Sequence, residues 1–384
     1  MRIALITETF LPDVNGVTTT LCRLLEHLQA TGHAALLFAP HDAPASYAGA
    51  EIVRLQGVPF PLYPELKLTP PQIGITAHLQ HFKPDLVHLA GLALLGPMGR
   101  YAARRLGLPL VAAYHTDFPA YSAHYGVGGM RSLVYHYLRW VHNSCAITLC
   151  PSLATLADLR AHGFRRLRLW RRGVDTVRFN PRHASAAWRE SIGVQPDETL
   201  LLYAGRLATE KRIDLLAEAL DGLPGVRLAL VGDGPARPVI EQRFAGLPVH
   251  FTGFLRGQAL ATAYASADLF VFPSDTDTFG QVIQEAMAAG LPVVAARAGG
   301  APDLVRDDVT GALFTPGSVV ELRAHLRTLS ADPARRAAFG QAGRAAAERN
   351  SWGSVMDELL GQYQRILNWR ARPWPRARQP HLIR

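Results

Sequence analysis

The stretch Asp268-Leu-Phe-Val-Phe-Pro-Ser-Asp-Thr-Asp-Thr-Phe-Gly-Gln-Val-Ile-Gln-Glu285 decides the fold, because a strand, a loop and a helix follow one another within it. Asp268–Pro273 is an aromatic and β-branched run without polar alternation, the pattern of a parallel strand buried on both faces. Gly280 through Ala289 reads as a helix with Val282, Ala286 and Ala289 as its apolar stripe, closed by Gly290-Leu-Pro292. Asp277 then falls on the strand-end loop and Glu285 on the first turns of the helix. A carboxylate accepts two hydrogen bonds from a vicinal diol, and charge-assisted bonds are roughly twice as strong as neutral ones. The pair therefore suits a ligand rich in hydroxyls.

Outward from this stretch, strand-like runs alternate with helical segments twice over. In the first half the strands are Arg2–Thr7, Ala34–Ala39, Leu86–Leu89, Leu110–His115 and Ala146–Pro151; in the second they are Thr199–Ala204, Val226–Val231, Val249–Gly253, Asp268–Pro273 and Pro292–Ala296. Leu21, Leu24, Leu25 and Leu28 form the apolar stripe of one intervening helix, and Ile213, Leu216 and Leu220 that of another. This is the signature of an α/β protein with two doubly wound, Rossmann-like domains facing a cleft. The expected division is residues 1–178, residues 179–351 with the linker near Asn180-Pro181, a helix over 352–369 packing back on the first domain, and a basic tail over 370–384. Val231-Gly-Asp-Gly-Pro235 carries only the first two glycines of a dinucleotide fingerprint, which argues against hydride transfer.

A chain of 384 residues with 48% apolar content has enough material for two cores. No run approaches the ~18 apolar residues of a membrane span, and Arg2–Thr7 is too short for a signal peptide, so a cytoplasmic location is expected. Cys22, Cys145 and Cys150 show no metal spacing and no even disulfide set. The formal charge of +9 is concentrated. Five arginines crowd Arg165–Arg172, and six lie from Arg365 onward with no acid. That distribution does not suit nucleic acid, which asks for a basic face interleaved with aromatics. With Trp369 and Trp374, the tail suits an anionic membrane surface on the inner face of the cell membrane, and reads equally as a solvated tail.

Gly205-Arg-Leu-Ala-Thr-Glu-Lys211 follows a strand and precedes a helix over Arg212–Leu220, so Arg206 and Lys211 are placed around a helix N-terminus, where amides and dipole favour a phosphate. Of the 40 basic residues only Lys67, Lys83 and Lys211 are lysines, which singles out position 211. The segment reads also as a capped surface helix. Near the start, Asn15-Gly16 connects strand to helix; the missing Cβ of Gly16 lets a ligand approach the backbone and the helix amides that follow point the same way, while a plain β-to-α turn reads equally. His115-Thr-Asp117 stands at a strand end, where a lone histidine is more often structural, but the polar and aromatic loop Tyr114–Tyr121 around it has a composition that suits sugar. Met130–Val141, with Arg131, Tyr135, His136, Arg139 and Trp140, reads as a surface for an acceptor or membrane, or as a core-packing helix. Asp275-Thr-Asp277 also spells a divalent-metal pair, but Arg206 and Lys211 already provide the charge a metal would bring, so no metal is expected.

Taken together, Asn15-Gly16-Val17, His115, Gly205-Arg206 with Lys211, Asp277 with Glu285, and Gly299-Gly300 resemble family 4 of the retaining glycosyltransferases, enzymes of the GT-B fold. Thr7-Glu-Thr-Phe-Leu-Pro-Asp-Val-Asn-Gly-Val-Thr18 resembles the branch of GDP-mannose-dependent α-mannosyltransferases and sulfoquinovosyl or glucuronosyl glycolipid enzymes. The resemblance implies transfer of a hexose from a nucleotide-sugar donor to a lipid or glycan acceptor, without a cofactor. It assigns the donor diphosphate to Arg206 and Lys211 beside Gly205, the ribose diol to Glu285, and the sugar hydroxyls to Asp277 and the backbone at Phe279, Gly280 and Gln281. Gly16 would place its loop near the phosphate, His115 would line the sugar site, and the backbone at Phe254 and Leu255 would meet the base. The family pattern has glutamate where this chain has Asp277, which leaves UDP-linked glucose, glucuronate or sulfoquinovose as alternatives to GDP-mannose. An epimerase or hydrolase of the same fold and a non-catalytic membrane adaptor are the competing readings.

Overall fold

Leu269–Phe272 is a strand with all four residues buried, as its unbroken apolar run demands. It lies inside a sheet, with parallel partners on both sides. The computed structural model describes residues 1–13, 15–60, 63–68, 74–91, 95–115 and 131–371. The expectations at Thr116–Tyr121, at Met130 and over the tail residues 372–384 lie outside them.

In chain order the strands are β1 (Arg2–Ile6), β2 (Ala34–Pro40), β3 (Ser46–Tyr47), β4 (Ala50–Leu55), β5 (Val58–Phe60), β6 (Tyr63–Leu68), β7 (Leu86–Leu89), β8 (Leu110–Ala113), β9 (Ile147–Cys150) and β10 (Leu167–Leu169), followed by β11 (Thr199–Ala204), β12 (Val226–Val231), β13 (Val249–Gly253), β14 (Leu269–Phe272), β15 (Val293–Ala296) and β16 (Gly311–Phe314). The first sheet runs β10-β9-β8-β7-β1-β2-β4-β3, parallel except at the β3/β4 edge. The second, wholly parallel, runs β13-β12-β11-β14-β15-β16. β5 and β6 form a separate antiparallel pair. All strands expected from the sequence are present. β3 to β6, β10 and β16 are additional, and they are either short, mixed in polarity or, for β10, set within the Arg-rich segment.

Helices cover both faces of each sheet, giving two apolar layers per sheet. Leu21, Leu24, Leu25 and Leu28 are completely buried on the helix Gly16–Ala30. The helix Trp352–Ala371 returns to the first sheet, where Val355, Met356, Leu359, Tyr363 and Ile366 join the core containing Ile3, Leu5 and Leu24. Its return brings Ser351 beside Val174 as a short parallel bridge, so both passages of the chain between the sheets lie together.

Each sheet reverses its strand order once, between β1 and β7 in the first and between β11 and β14 in the second. Open parallel sheets bind ligands outside the carboxyl ends of the strands at such a reversal. The loops after β1, β11 and β14 carry Gly16, Arg206 with Lys211, and Asp277.

Candidate active site

Two loops meet at the reversal of the second sheet. After β11, Gly205 leads into a tight backbone path: the Tyr203 hydroxyl donates to the Arg206 carbonyl at 3.0 Å, and the Lys211 amide donates to Ala208 O at 3.0 Å. Thr209–Lys211 is a single 3-10 turn, Arg212 takes a left-handed conformation (φ 51°), and the regular helix spans Asp214–Leu220. The expected helix from Arg212 is therefore shorter, because the left-handed residue interrupts it. The charge at Lys211 comes from its side chain, two residues short of the helix.

After β14, Asp277 is fixed by backbone contacts. Its carbonyl accepts from the Gly300 amide at 2.9 Å, and a Cβ at Gly299 (φ +55°) would stand 2.0 Å from that same oxygen. Only glycine fits there. Phe279 is buried, and Gly280 turns the chain at φ +87° into the helix Gln281–Ala288, which no side chain caps. Its leading amides thus lack the usual side-chain acceptor. Of the expected stripe, Ala286 and Ala289 are buried and Val282 is only partly so, and Ile283 and Met287 complete the buried face.

The side chains of the two loops close on each other. Lys211 Nζ donates to Asp277 Oδ2 at 2.6 Å, with both side chains partly buried, Lys211 the more so. Burial opposes the Lys211 charge, but Asp277, Tyr203 and Glu210 outweigh it and raise the ammonium above its ordinary value. Thr276 Oγ1 donates to the Glu210 carbonyl at 3.4 Å, a second tie between the loops. Glu285 lies one turn along the helix, accepting from the Tyr264 hydroxyl at 3.1 Å. Burial pushes its carboxyl up to about 7 despite that bond and the charge of Arg178.

The first sheet contributes His115 at the end of β8. Its carbonyl accepts from Thr278 Oγ1 at 3.3 Å, and its Nδ1 faces Arg172 Nη2 at 2.6 Å. Gln281 Nε2 donates to the Gly173 carbonyl at 3.0 Å, so the side chain of Gln281 spans toward the first sheet. Arg172, one of the five arginines crowded over Arg165–Arg172, is buried. Its guanidinium is lowered to about 9 by that burial. Arg172, Tyr203, Tyr264 and Thr278 are the site residues that sequence reasoning missed.

At the reversal of the first sheet, Asn15 caps the helix Gly16–Ala30 by accepting from Val17 N and Thr18 N at 3.0 and 2.9 Å. Those amides are occupied, contrary to the expectation that they point at a ligand. A Cβ at Gly16 would meet no atom of the described residues within 4 Å. Phe254 and Leu255 follow β13, with Phe254 exposed and Leu255 packed against the core. The Gly232 amide donates to the Gly253 carbonyl at 2.9 Å, and a Cβ on Gly232 would meet Gly205 O at 2.0 Å. That contact places the loop after β13 on the same sheet edge as Arg206. A cavity of about 360 Å³ opens nearby, lined in part by Asp175, Val177, Arg178, Gly257 and Gln258. Among the described residues, no three of His, Cys, Asp and Glu gather as a metal site requires.

The chain is similar in sequence and fold to known proteins. Residues 14–178 match the family model described as Glycosyltransferase Family 4, and residues 185–346 match that of Glycosyl transferases group 1. The GDP-mannose-dependent alpha-mannosyltransferase of Mycobacterium tuberculosis is 40% identical over 382 residues, covering 95% of this chain and 97% of that protein. The sulfoquinovosyl transferase SQD2 of Arabidopsis thaliana is 36% identical over 96% of this chain and 74% of its own length. The crystal structure of Anabaena Alr3699/HepE in complex with UDP superposes with a TM-score of 0.79 at 22% identity, covering 95% of this chain and all (100%) of that one, which establishes the GT-B fold. With relatives of this identity along nearly its whole length, the chain belongs to glycosyltransferase family 4.

Proposed function

We propose that this enzyme transfers mannose from GDP-mannose, with retention, to a hydroxyl of a lipid or glycan acceptor, forming an α linkage. The observation that carries the reading is the Lys211–Asp277 contact, which sets a cation suited to a diphosphate against a carboxylate suited to sugar hydroxyls. The 40% identity to a GDP-mannose-dependent alpha-mannosyltransferase supports the choice of donor.

In this reading Arg206 and Lys211 bind the diphosphate and stabilise its charge as the bond to the sugar breaks. Asp277 and the amides from Phe279 to Gln281 hold the sugar, and Glu285 accepts from the ribose diol. The base lies along the backbone at Phe254 and Leu255, Gly16 leaves room for the phosphates, and His115 lines the sugar. The acceptor oxygen attacks the anomeric carbon on the face from which the diphosphate departs. The departing phosphate oxygen takes the acceptor's proton. The protein contributes position and charge, and neither a protein nucleophile nor a cofactor takes part.

A second donor class is favoured by Asp277 itself, one methylene shorter than the family's glutamate, and by the 36% identity to a sulfoquinovosyl transferase. A UDP-sugar-dependent glycolipid synthase is that alternative. Thermal-shift measurements with GDP, UDP, ADP and their sugars separate the two. Stabilisation by GDP and GDP-mannose is expected, and stabilisation by UDP alone would overturn the mannose assignment.

A lipid acceptor calls for contact with a membrane surface. No helix among the described residues is long and apolar enough to cross a membrane. Supporting peripheral contact, the helices Leu95–Arg105 and Arg131–His142 pack together through Arg100 stacked 4.2 Å over Trp140. They carry Arg104, Arg105 and Arg131 with no acid, and leave Tyr101, Leu133 and Trp140 exposed. Arginine with exposed aromatic and aliphatic side chains suits an anionic bilayer. The enzyme would then act at the cytoplasmic face of the cell membrane, with the basic tail as a further contact.

A further inference from the structure

We infer that Arg172 is a positioning residue that fixes His115 as a hydrogen-bond donor, through Nε2, to a hydroxyl of the transferred sugar. The direction toward sugar rests on the function proposed above; the fixing of the ring does not. A guanidinium has donors and no acceptor. With Arg172 Nη2 2.6 Å from His115 Nδ1, that nitrogen must present its lone pair, so the proton of the neutral ring sits on Nε2. Burial first, and the charge of Arg172 second, hold the imidazole well below its usual range and keep it neutral.

The geometry is held from several sides. Arg172 Nη1 donates to the Trp170 carbonyl at 3.2 Å, and its guanidinium lies 4.7 Å over the Trp170 ring. His115 meets the same ring edge-on at 5.8 Å. The other titratable groups of this cluster are His88, whose Nδ1 faces the Tyr363 hydroxyl and whose ring also packs on Trp170, and Tyr363 itself. His115 Nε2 is buried and has no partner among the described residues. A buried N–H without an acceptor is costly, and a ligand oxygen would recover that cost. The hydrogen bonds of Thr278 to the His115 carbonyl and of Gln281 to the Gly173 carbonyl bring this ring to the loop that carries Asp277.

The test uses the full-length enzyme labelled with ¹⁵N-histidine, with the His115 signal assigned by its loss in His115→Ala. The expected wild-type spectrum has an unprotonated Nδ1 and a protonated Nε2, with no titration between about pH 6 and 8.5. Arg172→Met should mix the two tautomers and lower kcat about 10- to 100-fold with little change in the donor KM, whereas Arg172→Lys should recover part of the rate. In the His115→Ala background, Arg172→Met should have less than about a twofold further effect. That non-additivity, with both variants folded by circular dichroism, is what a merely structural arginine would not produce. A proton on Nδ1 in the active wild-type enzyme, or fully multiplicative losses in the double variant, would overturn the role of Arg172. Absence of sugar transfer by the wild type would overturn the sugar-directed part together with the reading on which it rests.

Discussion

Lys211 Nζ and Asp277 Oδ2 stand 2.6 Å apart although 66 residues separate them in sequence, and they are the two groups assigned to opposite ends of the bond that breaks. Each satisfies the other. Burying one without the other would leave a desolvated charge.

Lys211→Met should lower turnover by on the order of 100-fold or more while changing the affinity for free GDP much less, because the charge on the diphosphate grows as the sugar leaves. Single-turnover rates beside calorimetric GDP titrations would show this. An unchanged rate would remove Lys211 from the chemistry.

The same pair makes a stability prediction. Lys211→Met and Asp277→Asn should each destabilise the unliganded protein by about 1–3 kcal/mol, through the loss of a charged hydrogen bond. The double variant should lose less than the sum, because no unpaired charge remains. Urea denaturation of the four proteins measures the coupling, and additive losses would mean that the contact contributes nothing.

Glu285 gives the site a pH dependence. Its carboxyl is raised by burial to about 7, and only the ionised form accepts both protons of a ribose diol. Donor affinity should therefore fall as pH drops below about 7, up to tenfold per pH unit, and Glu285→Gln should flatten the profile. The sign for folding is opposite. A carboxyl raised in the folded state holds its proton longer than in the unfolded chain, so this group's contribution favours the fold most at low pH and declines as pH rises toward about 7. Donor titrations at pH 6 and 8 test the first effect. Equal affinities at both would remove the ribose role.

These groups also show where sequence reading stops. The strands from β1 to β15 that form the sheet interiors were legible because doubly buried parallel strands must be continuous apolar runs. The helix after Gly280 was legible from its glycine and proline boundaries, but a short apolar stretch does not distinguish a stripe through Val282 from one through Ile283. Asp277, Glu285, Arg206 and Lys211 were each visible as chemistry. The contact between Lys211 and Asp277 was not, because it depends on the order in which β11 and β14 pair. Arg172 was hidden for a different reason: in composition it is one of five neighbouring arginines, and only burial sets it apart.

The arginine and aromatic face of the first sheet should bind anionic vesicles. Each arginine near such a surface contributes about 1 kcal/mol, so Arg104→Gln with Arg105→Gln should weaken binding to phosphatidylglycerol vesicles about 30-fold, with a further loss in high salt. Cosedimentation compares this variant with a chain ending at Trp369. If only the truncated chain fails to bind, the tail and not this face is the membrane contact.

Asp277→Glu tests whether the shorter acid is matched to its surroundings. The aspartate already reaches Lys211 at 2.6 Å, and its backbone is pinned by Gly299 and Gly300, so neither loop has slack for another methylene. The longer carboxylate must push Lys211 aside or fold back from the sugar. Displacements of about 1 Å at a reacting centre cost up to about 100-fold in rate, so Asp277→Glu should lower kcat with GDP-mannose at least tenfold. The free-GDP affinity should change little, because the ribose and base contacts lie elsewhere. An Asp277→Glu enzyme that gains activity with a different sugar would instead identify Asp277 as a determinant of which hexose is transferred, and parallel assays with GDP-mannose, UDP-glucose and UDP-glucuronate distinguish these outcomes.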